Sequence, residues 1–202
     1  MTTMATMTDD DLLAGLRRQD AQAFATFFET YADRVYRMAA HLLGNEQDAE
    51  EVTQATFLSA FKAIDHFEPR ARVSTWLYRI AYNHCLMVLR QRRTDIELPD
   101  EDAALPLPNA MVDWSHLPET EILSEEAQAT LRAAITDLPE SLRAAFVLRD
   151  VEQLSTAECA QVQHITEAAC KVRLHRARLH LRERLSDYFA EWVRQPPKEE
   201  PL

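Results

Sequence analysis

Near the middle of the chain Trp76, Arg79, Asn83 and Arg90 follow one another at spacings of three, four and seven. At 3.6 residues per turn those spacings put all four on one side of a helix. An indole, an amide and two guanidinium groups on one face can stack on bases and hold phosphates. A second set stands at Lys171, Val172, Arg173, His175 and Arg176, around a stripe of Cys170, Leu174, Ala177, Leu181 and Leu185. Cations near the start of a helix can reach guanine edges and phosphates, and a valine can meet a thymine methyl. A basic, solvent-facing helix is the other reading of this second set, because such patterns are easily matched by chance.

These residues need helices to position them, and the composition supplies helix formers. Glycine occurs only at Gly15 and Gly44 in 202 residues, while Leu, Ala, Arg, Glu and Gln abound. An all-α fold is expected. A helix should start in the acidic run Thr8 to Asp11. Phe24, Phe27, Phe28, Tyr31, Val35, Met38, Ala39 and Leu42 mark a long amphipathic helix that Gly44-Asn45 ends. Residues 46–65 read as a third helix and residues 67–73 as a loop containing Pro69. Ser74 or Thr75 then caps the next helix, whose core stripe is Leu77, Ala81, His84 and Val88. Further on, Ser155 caps a short helix, residues 163–166 turn, and Thr166 caps the basic helix. His164 takes the place where such a turn usually has glycine, and histidine is enriched among non-glycine residues at positive φ.

The net charge of −11 hides an uneven distribution. Residues 1–94 hold 11 Lys/Arg against 12 Asp/Glu, and residues 140–202 hold 10 against 10. Residues 95–139 hold one Arg against 11 acids, so the excess sits in the centre. With Pro99, Pro106, Pro108 and Pro118 there, residues 95–118 read as an extended acidic linker. The expected organisation is two small helical domains, 8–94 and 119–190, joined by that linker and followed by a disordered tail, 191–202. No run of 18 apolar residues and no signal-peptide pattern is present, so a cytoplasmic chain without membrane insertion is expected. Cys85, Cys159 and Cys170 are too few and scattered for a disulfide scaffold. Cys159 and Cys170 read as small buried thiols, with a redox or metal switch involving His164 or His175 as the alternative. Without a Gly-rich phosphate loop or metal-ligand spacing, neither an enzyme nor a cofactor is expected.

Four strings in order carry a family resemblance: Asp48-Ala-Glu-Glu-Val-Thr-Gln-Ala-Thr-Phe57, Thr75-Trp-Leu-Tyr-Arg-Ile-Ala81 with Asn83, Leu138-Pro-Glu140, and Val172-Arg-Leu-His-Arg-Ala-Arg178. The chain resembles bacterial RNA polymerase sigma factors of the extracytoplasmic-function class. The resemblance implies a first domain that binds core polymerase and melts the −10 element, and a second that reads the −35 element. It implies the β′ clamp helices and β subunit of core polymerase, promoter DNA and an anti-sigma factor as partners. Carried over by residue, Asp48, Glu51, Gln54 and Phe57 would face the clamp helices. Phe67, Arg70, Arg72, Trp76, Arg79, Asn83 and Arg90 would serve the −10 element, with core and base platform both open for Trp76. Lys171, Val172, Arg173, His175, Arg176 and Arg178 would serve the −35 element. Ala55 stands where the family often has an acid, Gln163 where an apolar residue is usual, and Glu167 adds an acid near the groove. The acidic linker could mimic RNA or template in a positive channel, or simply be solvated. A sigma-like decoy that sequesters an anti-sigma protein is the alternative function. A one-site helix-turn-helix regulator would leave residues 47–93 without a purpose.

Overall fold

A computed structural model of the chain describes residues 9–67, 72–93 and 125–194. Within them lie α1 (Asp9–Arg17), α2 (Ala21–Leu43), α3 (Glu46–Ala63), α4 (Val73–Arg93), α5 (Glu125–Thr136), α6 (Glu140–Phe146), α7 (Thr156–Gln163) and α8 (Glu167–Arg194). The described residues contain no strand, as the helix-forming composition requires.

The first unit, α1–α4, is held by aromatic packing and by defined helix ends. Asp20 caps α2 by accepting from the amides of Gln22 at 2.8 Å and Ala23 at 3.3 Å. Gly15 lets α1 cross α2, because a Cβ there would lie 2.5 Å from that of Ala23. Gly44 ends α2 at φ 63°, and Asn45 opens α3 by accepting from the Asp48 amide. This is the Gly-Asn boundary expected from the sequence. Phe57 sits between Phe27 and Phe28, with ring centroids 5.5 and 4.8 Å away.

Three expectations need correction. α4 begins at Val73, with the Arg72 carbonyl accepting from the Trp76 amide, so Ser74 and Thr75 lie inside its first turn. Thr75 instead donates to Glu158 at 3.2 Å. Along α4, Leu77 and Ala81 are buried as expected, but Tyr78, Cys85 and Leu89 complete the core while His84 and Val88 are only half-buried. Finally, α8 runs on to Arg194, past the start of the expected tail. The linker 95–118, Arg70, the segment 117–124 and residues 195–202 lie outside the described residues.

The second unit, α5–α8, contains the expected helix-turn-helix. Ser155 and Glu158 form a reciprocal capping box at the start of α7. His164 takes the left-handed conformation at φ 56°, and the Thr166 hydroxyl accepts from the Ala169 amide at 3.1 Å. Cys170, Leu174, Ala177, Leu181 and Leu185 are all buried. A π-helical turn, Val147–Val151, joins α6 to α7 and is followed by Gln153, where φ is 59°.

The two units pack directly on one another, which the sequence did not announce. Glu152, just after the π-helical turn, has a side chain with no exposure. Its carboxylate accepts from Tyr78 Oη at 2.7 Å, Arg37 Nε at 3.0 Å and Arg34 Nε at 3.4 Å, all from the first unit. Arg34 also donates to the Glu152 carbonyl at 3.1 Å and lies 5.6 Å from the Tyr78 ring centre. Nearby, Arg143 Nη1 donates to the Leu42 carbonyl at 2.6 Å, and Thr136 covers Gly44.

Candidate functional site

Three helical surfaces carry the residues singled out above. On α3 the exposed positions are Glu46, Gln47, Glu50, Glu51, Gln54, Leu58, Phe61 and Lys62. Leu58 is 61% exposed, a large apolar side chain in open solvent, whereas Phe57 is 3% exposed. The expectation that Phe57 faces a partner is therefore corrected. Steps of three residues turn a helix by about 300° each, so Asp48, Glu51, Gln54 and Phe57 drift round by about half a turn in all. Steps of four and three hold one face, which runs Glu51, Gln54, Leu58, Phe61. That spacing was available in the sequence and would have found Leu58 and Phe61. Asp48 is half-buried and ion-paired with Arg92 of α4.

On α4 the face expected to bear four residues bears three. Arg79, Asn83 and Arg90 are exposed, and Met87 joins them as an exposed thioether between Asn83 and Arg90. Trp76 is 8% exposed and meets Phe67 edge to face at 5.2 Å between centroids. Of the two readings left open for Trp76, the structure gives the core position. The pair still forms one wall of a cavity of about 680 Å³. His66, Thr75 and Arg79 extend that wall, and Ala157, Ala160, His164, Ile165 and Glu167 of the helix-turn-helix face it. Arg72 is exposed, with Nε 3.9 Å from Glu158. Burial raises the Glu158 carboxyl, but hydrogen bonds from Ser155 and Thr75 and the charge of Arg72 outweigh it and hold the group low. Ser59 Oγ and His84 Nε2 are 3.0 Å apart, and burial lowers the His84 imidazole.

On α8, Lys171, Val172 and His175 are exposed, while Arg173 and Arg176 are half-buried. Arg178 makes a two-pronged contact with Asp150 at 2.7 and 2.8 Å, which raises its guanidinium further. Engaging a phosphate would mean exchanging that partner. Arg173 Nη1 donates to Gln163 Oε1 at 3.4 Å, and Gln163 Nε2 donates to Cys159 Sγ at 3.1 Å. The unexpected glutamine is thus buried but bonded at both ends. Cys159 and Cys170 are fully buried with sulfurs 3.0 Å apart, and burial pushes the Cys159 thiol up. Two buried sulfurs in contact fit the packing role read from the sequence. No group of His, Cys, Asp and Glu among the described residues could hold a metal ion.

Residues 27–94 match the Sigma-70 region 2 family, and residues 128–181 match Sigma-70, region 4. The chain is an extracytoplasmic-function (ECF) sigma factor. It is 34% identical to the ECF RNA polymerase sigma factor SigW of Bacillus subtilis, over 85% of this chain and 94% of that one. It is 37% identical to the ECF RNA polymerase sigma factor SigE of Mycolicibacterium smegmatis, over 80% of this chain and 61% of the other. Its fold is similar to that of CnrH, solved with the cytosolic domain of CnrY, at a TM-score of 0.66 and 22% identity over 89% and 97% of the two chains. It is also similar to RpoE of Bartonella quintana, solved with the anti-sigma factor NepR, at a TM-score of 0.62 and 20% identity over 82% and 98%. The sigma factor therefore works with RNA polymerase and promoter DNA in transcription initiation. No helix among its described residues is long and apolar enough to cross a membrane.

Proposed function

We propose that the sigma factor docks on core RNA polymerase through the exposed α3 face of Glu51, Gln54, Leu58 and Phe61, with Asp48 at its edge. The observation that carries this reading is the solvated leucine, four residues after Gln54 and three before the exposed Phe61. An apolar anchor with Glu50 and Glu51 two turns nearer the helix start suits a basic coiled-coil partner such as the β′ clamp helices. Arg79, Asn83, Met87 and Arg90 then meet the −10 element. Phe67 and Trp76 offer the apolar wall that an unstacked base needs, and the cations Arg70 and Arg72 hold the backbone. Lys171, Val172, Arg173, His175, Arg176 and Arg178 serve the −35 major groove.

The chain acts in the cytoplasm as a regulator and not as an enzyme, and an anti-sigma protein is its regulatory partner. That last assignment rests on likeness to RpoE, solved with the anti-sigma factor NepR. Competition with a labelled housekeeping sigma factor for core enzyme tests the reading. Displacement by the wild type, with a loss of at least tenfold in Leu58→Asp, is the expected result. Displacement unaffected by Leu58→Asp and Phe61→Asp would remove α3 as the docking face. No displacement at micromolar concentration would move the weight to the decoy alternative.

A further inference from the structure

The contact between the two units has a consequence for DNA binding. Phe67 and Trp76 of the first unit and the His164 turn of the second line opposite sides of one cavity. The −10 and −35 elements lie about 25 base pairs apart, or about 85 Å at about 3.4 Å per base pair. Two readers that share a cavity wall cannot sit on both elements of one duplex. The 31 residues from 94 to 124 could span about 105 Å if fully extended, so the covalent connection allows the units to part.

Apolar packing, Thr75 with Glu158 and Arg143 with the Leu42 carbonyl all oppose parting, and Glu152 is the fully buried charge among these contacts. Its carboxylate is fully enclosed and takes hydrogen bonds from Tyr78, Arg37 and Arg34, while its carbonyl takes another from Arg34. The π-helical turn and the positive φ of Gln153 aim this single residue at α2 and α4. Irregular helical turns of this kind often mark sites with a job beyond packing. The energetics suit a latch better than a weld. Losing one partner strands a buried charge, but full opening returns every group to water together. Arg34 and Arg37 keep 41% and 48% of their side-chain exposure, so hydration can begin from the edge.

We propose that Glu152 is a carboxylate latch that keeps the free sigma factor closed, and that opening it is a required step before both promoter elements can be bound. The functional half of this proposal rests on the promoter assignments above. The structural half does not.

Small-angle X-ray scattering of the full chain tests the structural half directly. The wild type should be compact, and Glu152→Gln should show a larger radius of gyration and maximum dimension with unchanged helical circular dichroism. Should Glu152→Gln lose helix, Arg34→Gln/Arg37→Gln carries the same test from the other side. A wild type already extended, or folded variants as compact as the wild type, overturns the latch. Binding to core polymerase gives the second readout. If about nine free chains in ten are closed, Glu152→Gln should bind about tenfold more tightly. Expansion in scattering with no change in core and promoter binding would retain the contact and overturn its regulatory role. Loss of core binding in Leu58→Asp with intact latch behaviour would separate failure of the docking assignment from failure of the latch.

Discussion

In the first unit the aromatic side chains assigned to the −10 element, Phe67 and Trp76, lie edge to face in the interior, while in the second unit Lys171, Val172 and His175 project into solvent from α8. Each arrangement suits a different task. Holding an unstacked base takes an apolar wall, and such a wall is costly to leave in water. Reading a closed duplex takes polar side chains on a helix, which water solvates readily. The proposed base-holding wall therefore belongs to the fold's core and the proposed duplex-reading surface does not. The two should respond differently to mutation.

The largest divergence is expected from truncating one residue on each side. Trp76→Ala should cost about 3–5 kcal/mol of stability in urea unfolding, as for large core aromatics. Val172→Ala should stay within about 0.5 kcal/mol while changing selection at the −35 element. Equal stability losses would break the comparison. The neighbouring pair Phe57 and Leu58 sharpens it. Phe57→Ala should also lose about 3–5 kcal/mol. Leu58→Ala should unfold like the wild type and be weaker only in competition for core polymerase.

The two left-handed helix ends provide a smaller contrast. Gly44→Ala should destabilise by about 1–2 kcal/mol, because φ is 63° and the added Cβ would lie 2.9 Å from Thr136 Cγ2. His164→Gly should stabilise by about 0.5–1 kcal/mol, since glycine carries no penalty at φ 56°. Thermal melts of both variants check the opposite signs.

The smallest effect concerns acid. Burial holds the imidazoles of His41 and His84 below the ordinary value of 6.5. The unfolded chain therefore binds protons that the folded chain refuses. Their contribution is intact above about pH 6.5, declines as pH falls below it, and levels off below the folded values. Melting temperatures between pH 7.5 and 5.5 should fall less steeply for His41→Gln/His84→Gln than for the wild type.

Much of the site was legible because helix chemistry is local. Gly44-Asn45, Ser155 with Glu158, and Thr166 each set a boundary through hydrogen bonds within a few residues, and those boundaries stand where the sequence puts them. The buried stripe of α8 followed from its period alone. Phe57 is carried over from the resemblance, which does not show its burial against Phe27 and Phe28, and Thr75 misses its capping place because a distant carboxylate claims its hydroxyl. Trp76 could not be resolved locally, since its surroundings come from Phe67 and from the facing unit.

The sequence by itself thus determined the helices and most of their ends, and offered candidate residues for polymerase and DNA, because propensity, capping and amphipathic period act over a turn or two. Only the tertiary structure decided that Glu152 would meet Arg34, Arg37 and Tyr78, across separations of 118, 115 and 74 residues. A lone glutamate after a turn carries no local mark of its partners. Its role comes from the packing of two units that no short window of sequence contains.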